Sequence, residues 1–149
     1  MADIEQIKKL REESQASIAD CRKALEESKG DYKKALTWLK KRGAEIAEKK
    51  AERETSQGVV EAYIHGKGKI GVLVTLLCET DFVAITEEFK KLAHEIAMQI
   101  SAMNPKDVKS LLAQEYIRDS KVTIDELIKE AIGKIGENIK VREFSRIEL

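Results

Sequence analysis

At Gly58 the hydrophobic period of the chain changes, and that change decides more about the fold than any other feature. Upstream, apolar residues recur every three or four positions. Downstream, Val60, Ala62 and Ile64 alternate with Val59, Glu61, Tyr63 and His65. A period of 3.6 puts side chains on one stripe of a helix, and a period of two puts them on one face of a strand. The chain must therefore join a helical part to a part that contains a sheet. The loop "HGKGK" (residues 65–69) then turns the chain, and "IGVLVTLL" (residues 70–77) resumes the alternation. Glycines in a short loop between two alternating runs predict a β-hairpin. The second strand is apolar on both faces, with Ile70, Val72, Val74 and Leu76 on one and Leu73, Thr75 and Leu77 on the other. Both faces are therefore expected to be covered.

The helical part reads as three short helices. Ile4, Ile7 and Leu10 share one stripe; Ile18, Cys21 and Leu25 share a second, with Ser17 and Asp20 in capping-box-like spacing at its start. Tyr32, Ala35, Leu36 and Leu39 mark a third, which begins after the stop-and-cap text "SKGD" and is expected to close at Arg42-Gly43. Trp38, the sole tryptophan, is expected in the core of this unit. Residues 44–57, "AEIAEKKAERETSQ", lack Gly and Pro and read as a helical connector. Past the hairpin, Phe89, Leu92, Ala93, Ile96, Ala97 and Ile100 form the stripe of a helix that starts at Thr86 and ends at Asn104-Pro105. "TIDELIKEAIGKIG" reads as a short amphipathic helix and "NIKVREFSRIEL" as a last strand. The expected fold is α+β: helices at 1–43, a helical connector at 44–57, and a small antiparallel sheet packed with helices at 58–149.

Charge bounds the functions available to such a fold. The 27 basic and 27 acidic residues cancel, so no broad field favours nucleic acid or an anionic membrane surface. No run of apolar residues is long enough to span a bilayer, and the N-terminal text lacks the apolar centre of a signal peptide. A cytoplasmic location is the expectation. Two cysteines, Cys21 and Cys78, are too few for a metal site or a disulfide framework and read as small, half-buried apolar residues. "HGKGK" lacks the strand–GxxxxGK[ST]–helix context of a phosphate-binding loop. His65 and His94 have no third partner that would complete a metal site or a base. Neither a catalytic site nor a cofactor nor a metal is expected.

One stretch resists this accounting. In "CETDFVA" (residues 78–84) the acids Glu79 and Asp81 interrupt apolar sequence at a strand end, and Phe82 follows. Thr80 or Asp81 can cap the next helix, with Phe82 in the core. Yet Thr86 supplies a second cap and Phe89 that helix's first core anchor. "DFVAI" can therefore be a separate turn that exposes what it holds.

Several stretches together resemble the bacterial elongation factor Ts family: "GDYKKALTWLKKRG", "VVEAYIHGKGKIGVLVTLLCETDFVA", "FKKLAHEIAMQISAMNP" and "GENIKVREFSRIEL". The resemblance implies a guanine nucleotide exchange factor, not an enzyme, that serves elongation factor Tu in translation elongation. It implies binding of the GDP-bound and nucleotide-free GTPase, with no nucleic acid or membrane partner. It makes Thr80, Asp81, Phe82 and Val83 the working tip that disturbs the partner's magnesium and phosphate site. It also implies that residues 1–43 form a three-helix bundle of the ubiquitin-associated type that docks on the GTPase. "SQASIA" (residues 14–19) lacks the glycines the family commonly carries before "DCRKAL", so only the neighbourhood of that docking surface carries over. One core copy is present, as in short members that dimerise through their sheets. Two other readings compete: a ubiquitin-associated-like adaptor that does not need Asp81 and Phe82, and a small enzyme using Asp81 with His65 or His94.

Overall fold

A computed structural model describes residues 3–149. Three helices come first: α1 (Ile4–Ser14), α2 (Ile18–Glu27) and α3 (Tyr32–Lys50). Each starts where a short polar side chain accepts from a free amide. Asp3 accepts from Glu5, Ser17 from Asp20, and Asp31 from Lys34, which satisfies donors a helix start leaves unpaired. Gly30 adopts φ +81° after α2 and returns its amide to the Leu25 carbonyl at 2.8 Å, the bond of a Schellman end. Leu10, Cys21, Ala24, Leu25, Ala35 and Leu39 form the buried cluster of this unit. Trp38 lies half-buried against that cluster instead of inside it, beside the buried stripe of Ala35 and Leu39 on α3.

The third helix does not close at Arg42-Gly43. It runs through Gly43 to Lys50, and only then does the backbone turn, so residues 44–57 are helical in their first half alone. The reason lies 90 residues away, in packing that no local signal announces. Gly43 meets Gly133 of α7 (Ile124–Ile135), where two helices without side chains cross closely. Ala47, farther along α3, belongs to the core of the sheet-containing part.

The sheet has the order β1 (Gln57–His65), β2 (Ile70–Cys78), β5 (Lys140–Glu148), antiparallel throughout. The hairpin loop is Gly66 to Lys69, with positive φ at Gly66, Lys67 and Gly68. Helix α5 (Glu87–Met103) packs on β1 and β2 and buries Phe89, Leu92, Ala93, Ile96, Ala97 and Ile100 against Val72, Val74, Leu76 and Cys78. Each large side chain so buried contributes about 1.5–3 kcal/mol. Asn104 ends α5 in the left-handed region.

The helices of this chain leave the opposite sheet face open. The register puts Val60, Ala62, Ile64, Leu73 and Ile147 on it, and Leu73 is 52% and Ile147 73% exposed. The helices of this chain supply one covering layer, and β2 is apolar on two faces. Two further elements carried no legible signal: α6 (Val108–Ala113) and the small hairpin β3 (Glu115–Tyr116)–β4 (Asp119–Thr123). Buried Gln99 holds that hairpin, donating to the Glu115 carbonyl at 3.0 Å and accepting from the Ile117 amide at 2.9 Å.

Candidate functional site

The stretch that follows β2 forms a tip made of two turns in succession. Thr80, extended at φ −123° and ψ 153°, caps the four-residue helix α4 (Asp81–Ala84) by accepting from the Val83 amide at 3.3 Å. Thr86 then caps α5, accepting from the Phe89 amide at 3.3 Å while its hydroxyl donates to the Val83 carbonyl at 2.7 Å. Two caps six residues apart leave room for one turn between them, so α4 cannot merge with α5. Below this turn Ala84 and Phe89 are buried and Val83 packs against the core. The core position open to an aromatic is thus taken by Phe89. Phe82 stands 78% exposed and Ile85 69% exposed beside exposed Asp81.

Of the four residues singled out from sequence, Asp81 and Phe82 face solvent, whereas Thr80 and Val83 are half-buried and hold the turn. The stem of the tip is held from a distant segment. The Glu137 carboxylate accepts the Glu79 amide at 3.1 Å, the Thr80 amide at 3.0 Å and the Thr80 hydroxyl at 2.7 Å. In return the Asn138 amide donates to the Glu79 carboxylate at 2.8 Å. Buried Asn138 also donates to the carbonyls of Ala51 and Arg53, and Lys50 donates to the carbonyl of Gly136. The end of α3, the corner before β5 and the stem of the tip are therefore bonded into one unit. Sequence reasoning included Ile85 in the exposed turn "DFVAI" but did not find Glu137 or Asn138. The only linear hint was an acid directly after the helix-ending glycine in "KIGEN".

The histidines lie elsewhere. His65 meets the Tyr63 hydroxyl at 3.0 Å, and His94 lies 3.7 Å from the Glu61 carboxylate. Among the described residues no three His, Cys, Asp or Glu side chains are arranged to hold a metal ion. No described helix is long and apolar enough to cross a membrane. Cys21 and Cys78 are free and wholly buried, more deeply than expected. Burial pushes both thiols above their ordinary pKa, with the Glu137 charge adding to the effect at Cys78. Since the thiolate is the reactive form, a thiol reagent at neutral pH should label neither cysteine of the native protein and both after denaturation. Labelling of Cys78 at the rate of a free thiol would show that the stem opens.

The family model described as "Elongation factor TS" matches residues 79–149, from the stem of the tip to the last residue. Elongation factor Ts of Coprothermobacter proteolyticus is 43% identical, with 94% of each chain covered. That of Rippkaea orientalis is 42% identical over 197 aligned positions, covering all of this chain and 79% of its relative. The chain belongs to the elongation factor Ts family. Its role is accordingly in translation elongation. The chloroplastic elongation factor Ts of Guillardia theta, 42% identical over 96% of this chain and 86% of its own, gives the same assignment. An alignment of 197 positions exceeds the 149 residues here, so that relative of the elongation factor Ts family interposes residues this chain lacks.

Proposed function

We propose that the chain is a guanine nucleotide exchange factor for elongation factor Tu, acting in the cytoplasm by binding and not by chemistry. The observation that carries this reading is the tip. In a family member, an aromatic side chain stands almost free beside an acid on a turn that is capped at both ends. Residues 58–149 would present the tip and residues 1–43 would dock on the GTPase, with 44–57 joining them. Phe82 would wedge into the nucleotide-binding domain, and Asp81 would compete with the groups that hold magnesium and phosphate. Thr80 and Val83 would fix the turn that carries both.

The energetics need no acid, base or nucleophile. A protein that binds the empty GTPase more tightly than the GDP form weakens GDP by the same factor. The wedge has only to fit one state better than the other, and GTP later displaces the factor through the same coupling. Release of fluorescent GDP from elongation factor Tu, followed by stopped flow with and without this protein, tests the reading. Strong acceleration supports it. Absence of acceleration with a folded protein would favour the adaptor reading, in which Asp81 and Phe82 are dispensable.

The open sheet face is assigned to a second copy of the chain. Val60, Ile64, Leu73 and Ile147 form an apolar surface of the kind that marks an interaction site, and an identical sheet is self-complementary to it about a two-fold axis. Light scattering at micromolar concentration should give twice the chain mass, and Leu73→Lys should give the single-chain mass with circular dichroism unchanged. A parent protein of single-chain mass at that concentration would end this assignment.

A further inference from the structure

We infer that Glu137 is a positioning residue for the exchange reaction, a clamp that fixes the direction in which Phe82 and Asp81 are presented. The inference rests on the exchange reading above and deepens it. Three donors converge on this one carboxylate: two successive backbone amides, Glu79 and Thr80, and the Thr80 hydroxyl, all at 3.1 Å or less. Bonds from a carboxylate to neutral donors are charge-assisted and stronger than neutral pairs. They act on the two residues that immediately precede the exposed turn.

The clamp is itself held firmly. Glu137 lies between Gly136, which ends α7 at φ +85°, and Asn138, 2% exposed and bonded to both the Glu79 carboxylate and the turn after α3. The Glu137 carboxylate accepts from the Glu79 amide and the Glu79 carboxylate from the Asn138 amide, and Arg53, 3.7 Å from Glu79, offsets part of the negative charge gathered there. The network supports the fold by joining α3 to the corner before β5, and it also fixes the stem of the exposed turn. Α wedge does require it. A side chain that must enter a partner in one orientation loses affinity for every other orientation it samples, and a held stem removes that cost in advance.

Loss of the clamp should therefore reduce the step in which the wedge enters and leave the docking step alone. In stopped-flow release of fluorescent GDP from elongation factor Tu, Glu137→Ala should lower the plateau rate about tenfold, the equivalent of one to two net hydrogen bonds. The factor concentration at half-maximal rate should stay the same. Glu137→Gln keeps an oxygen for the two amides and should remain within about threefold of the parent, since the Thr80 hydroxyl can accept from the new amide. In a Phe82→Ala background Glu137→Ala should cause a clearly smaller drop than in the parent, because only the placement of Asp81 is then left for Glu137 to act through.

Native-state hydrogen exchange of the free protein reads the clamp without the partner. The Glu79 and Thr80 amides should be protected in the parent and lose protection in Glu137→Ala. If the alanine variant unfolds by circular dichroism, Glu137→Asp replaces it, with the charge kept and the reach shortened by one methylene; the same losses are expected. An unchanged plateau rate, an equal drop in the Phe82→Ala background, a glutamine variant as poor as the alanine one, or retained amide protection would each overturn the assignment. If the parent itself fails to accelerate GDP release, the exchange reading fails, and amide protection still decides whether the clamp exists.

Discussion

Phe82→Ala should lower the maximal rate of GDP release from elongation factor Tu by about 100-fold, or roughly 2.7 kcal/mol of transition-state stabilisation, within the range of an aromatic hot spot. The same change should leave folding stability within about 0.5 kcal/mol of the parent, because a side chain 78% exposed has little packing to lose. This combination separates the wedge from a core residue. Truncating a buried phenylalanine such as Phe89 would cost about 3–5 kcal/mol of stability and would lower activity through the unfolded fraction. Asp81→Ala should show the same pattern with a smaller loss. The measurement is stopped-flow release of fluorescent GDP, with urea denaturation of each variant beside it. Phe82→Ala with full exchange activity would move the wedge elsewhere in the molecule, and the exposed Ile85 would be the next residue to replace.

Gly133→Ala should destabilise the fold by about 2 kcal/mol, lowering the melting temperature by roughly 5 °C, although alanine is the better helix former. A β-carbon at Gly133 would lie 2.8 Å from the Cα of Gly43. That neighbour is backbone and cannot rotate away, so α3 and α7 would have to separate. Gly43→Ala provides the control on the same contact. Its β-carbon would lie 4.0 Å from the Cα of Gly133, an ordinary contact, so the usual gain of about 0.5–1 kcal/mol for alanine over glycine inside a helix should appear. Opposite signs for two glycine-to-alanine changes, read by thermal and urea denaturation, are the expected result. Stabilisation by both would mean that the helices do not meet at this crossing, and destabilisation by both that Gly43 is as tightly packed as Gly133.

The glycine pair also shows where linear reading runs out. Gly43 sits near a helix end signalled by its own text, and local rules favour glycine there as a terminator. The helix continues because Gly133 lets α7 approach closely, and a partner 90 positions distant leaves no trace in the local period. The second strand marks a related limit. Two apolar faces on one strand state a demand for two layers, but they do not say whether both layers belong to the same chain. Trp38 shows the limit for single residues: an aromatic type favours burial, yet its place beside the buried Ala35 and Leu39 stripe decides how much of it is covered.

The tip was legible in part. Thr80 and Thr86 are both capping residues at a spacing too short for a full helix, and that alone allowed an exposed turn. The stripe placed Phe89 in the core, but pattern did not decide whether Phe82 joined it, since Phe82 also follows a cap at a plausible offset. The stem network was out of reach, because Glu79 and Glu137 carry no periodicity and their pairing depends on how β5 returns beside β2.

By itself the sequence determined the elements that rest on short-range physics. The three capped helices, the glycine hairpin, the stripe of α5, the final strand and the family text around residues 78–84 all depend on bonds and periods spanning a few residues. Tertiary structure decided that Phe82 stands clear of the core, how far α3 extends, which sheet face stays open, and that Glu137 holds the stem of the tip. Those outcomes depend on which distant surfaces meet, and contact between residues tens of positions apart is fixed only when the whole core has packed.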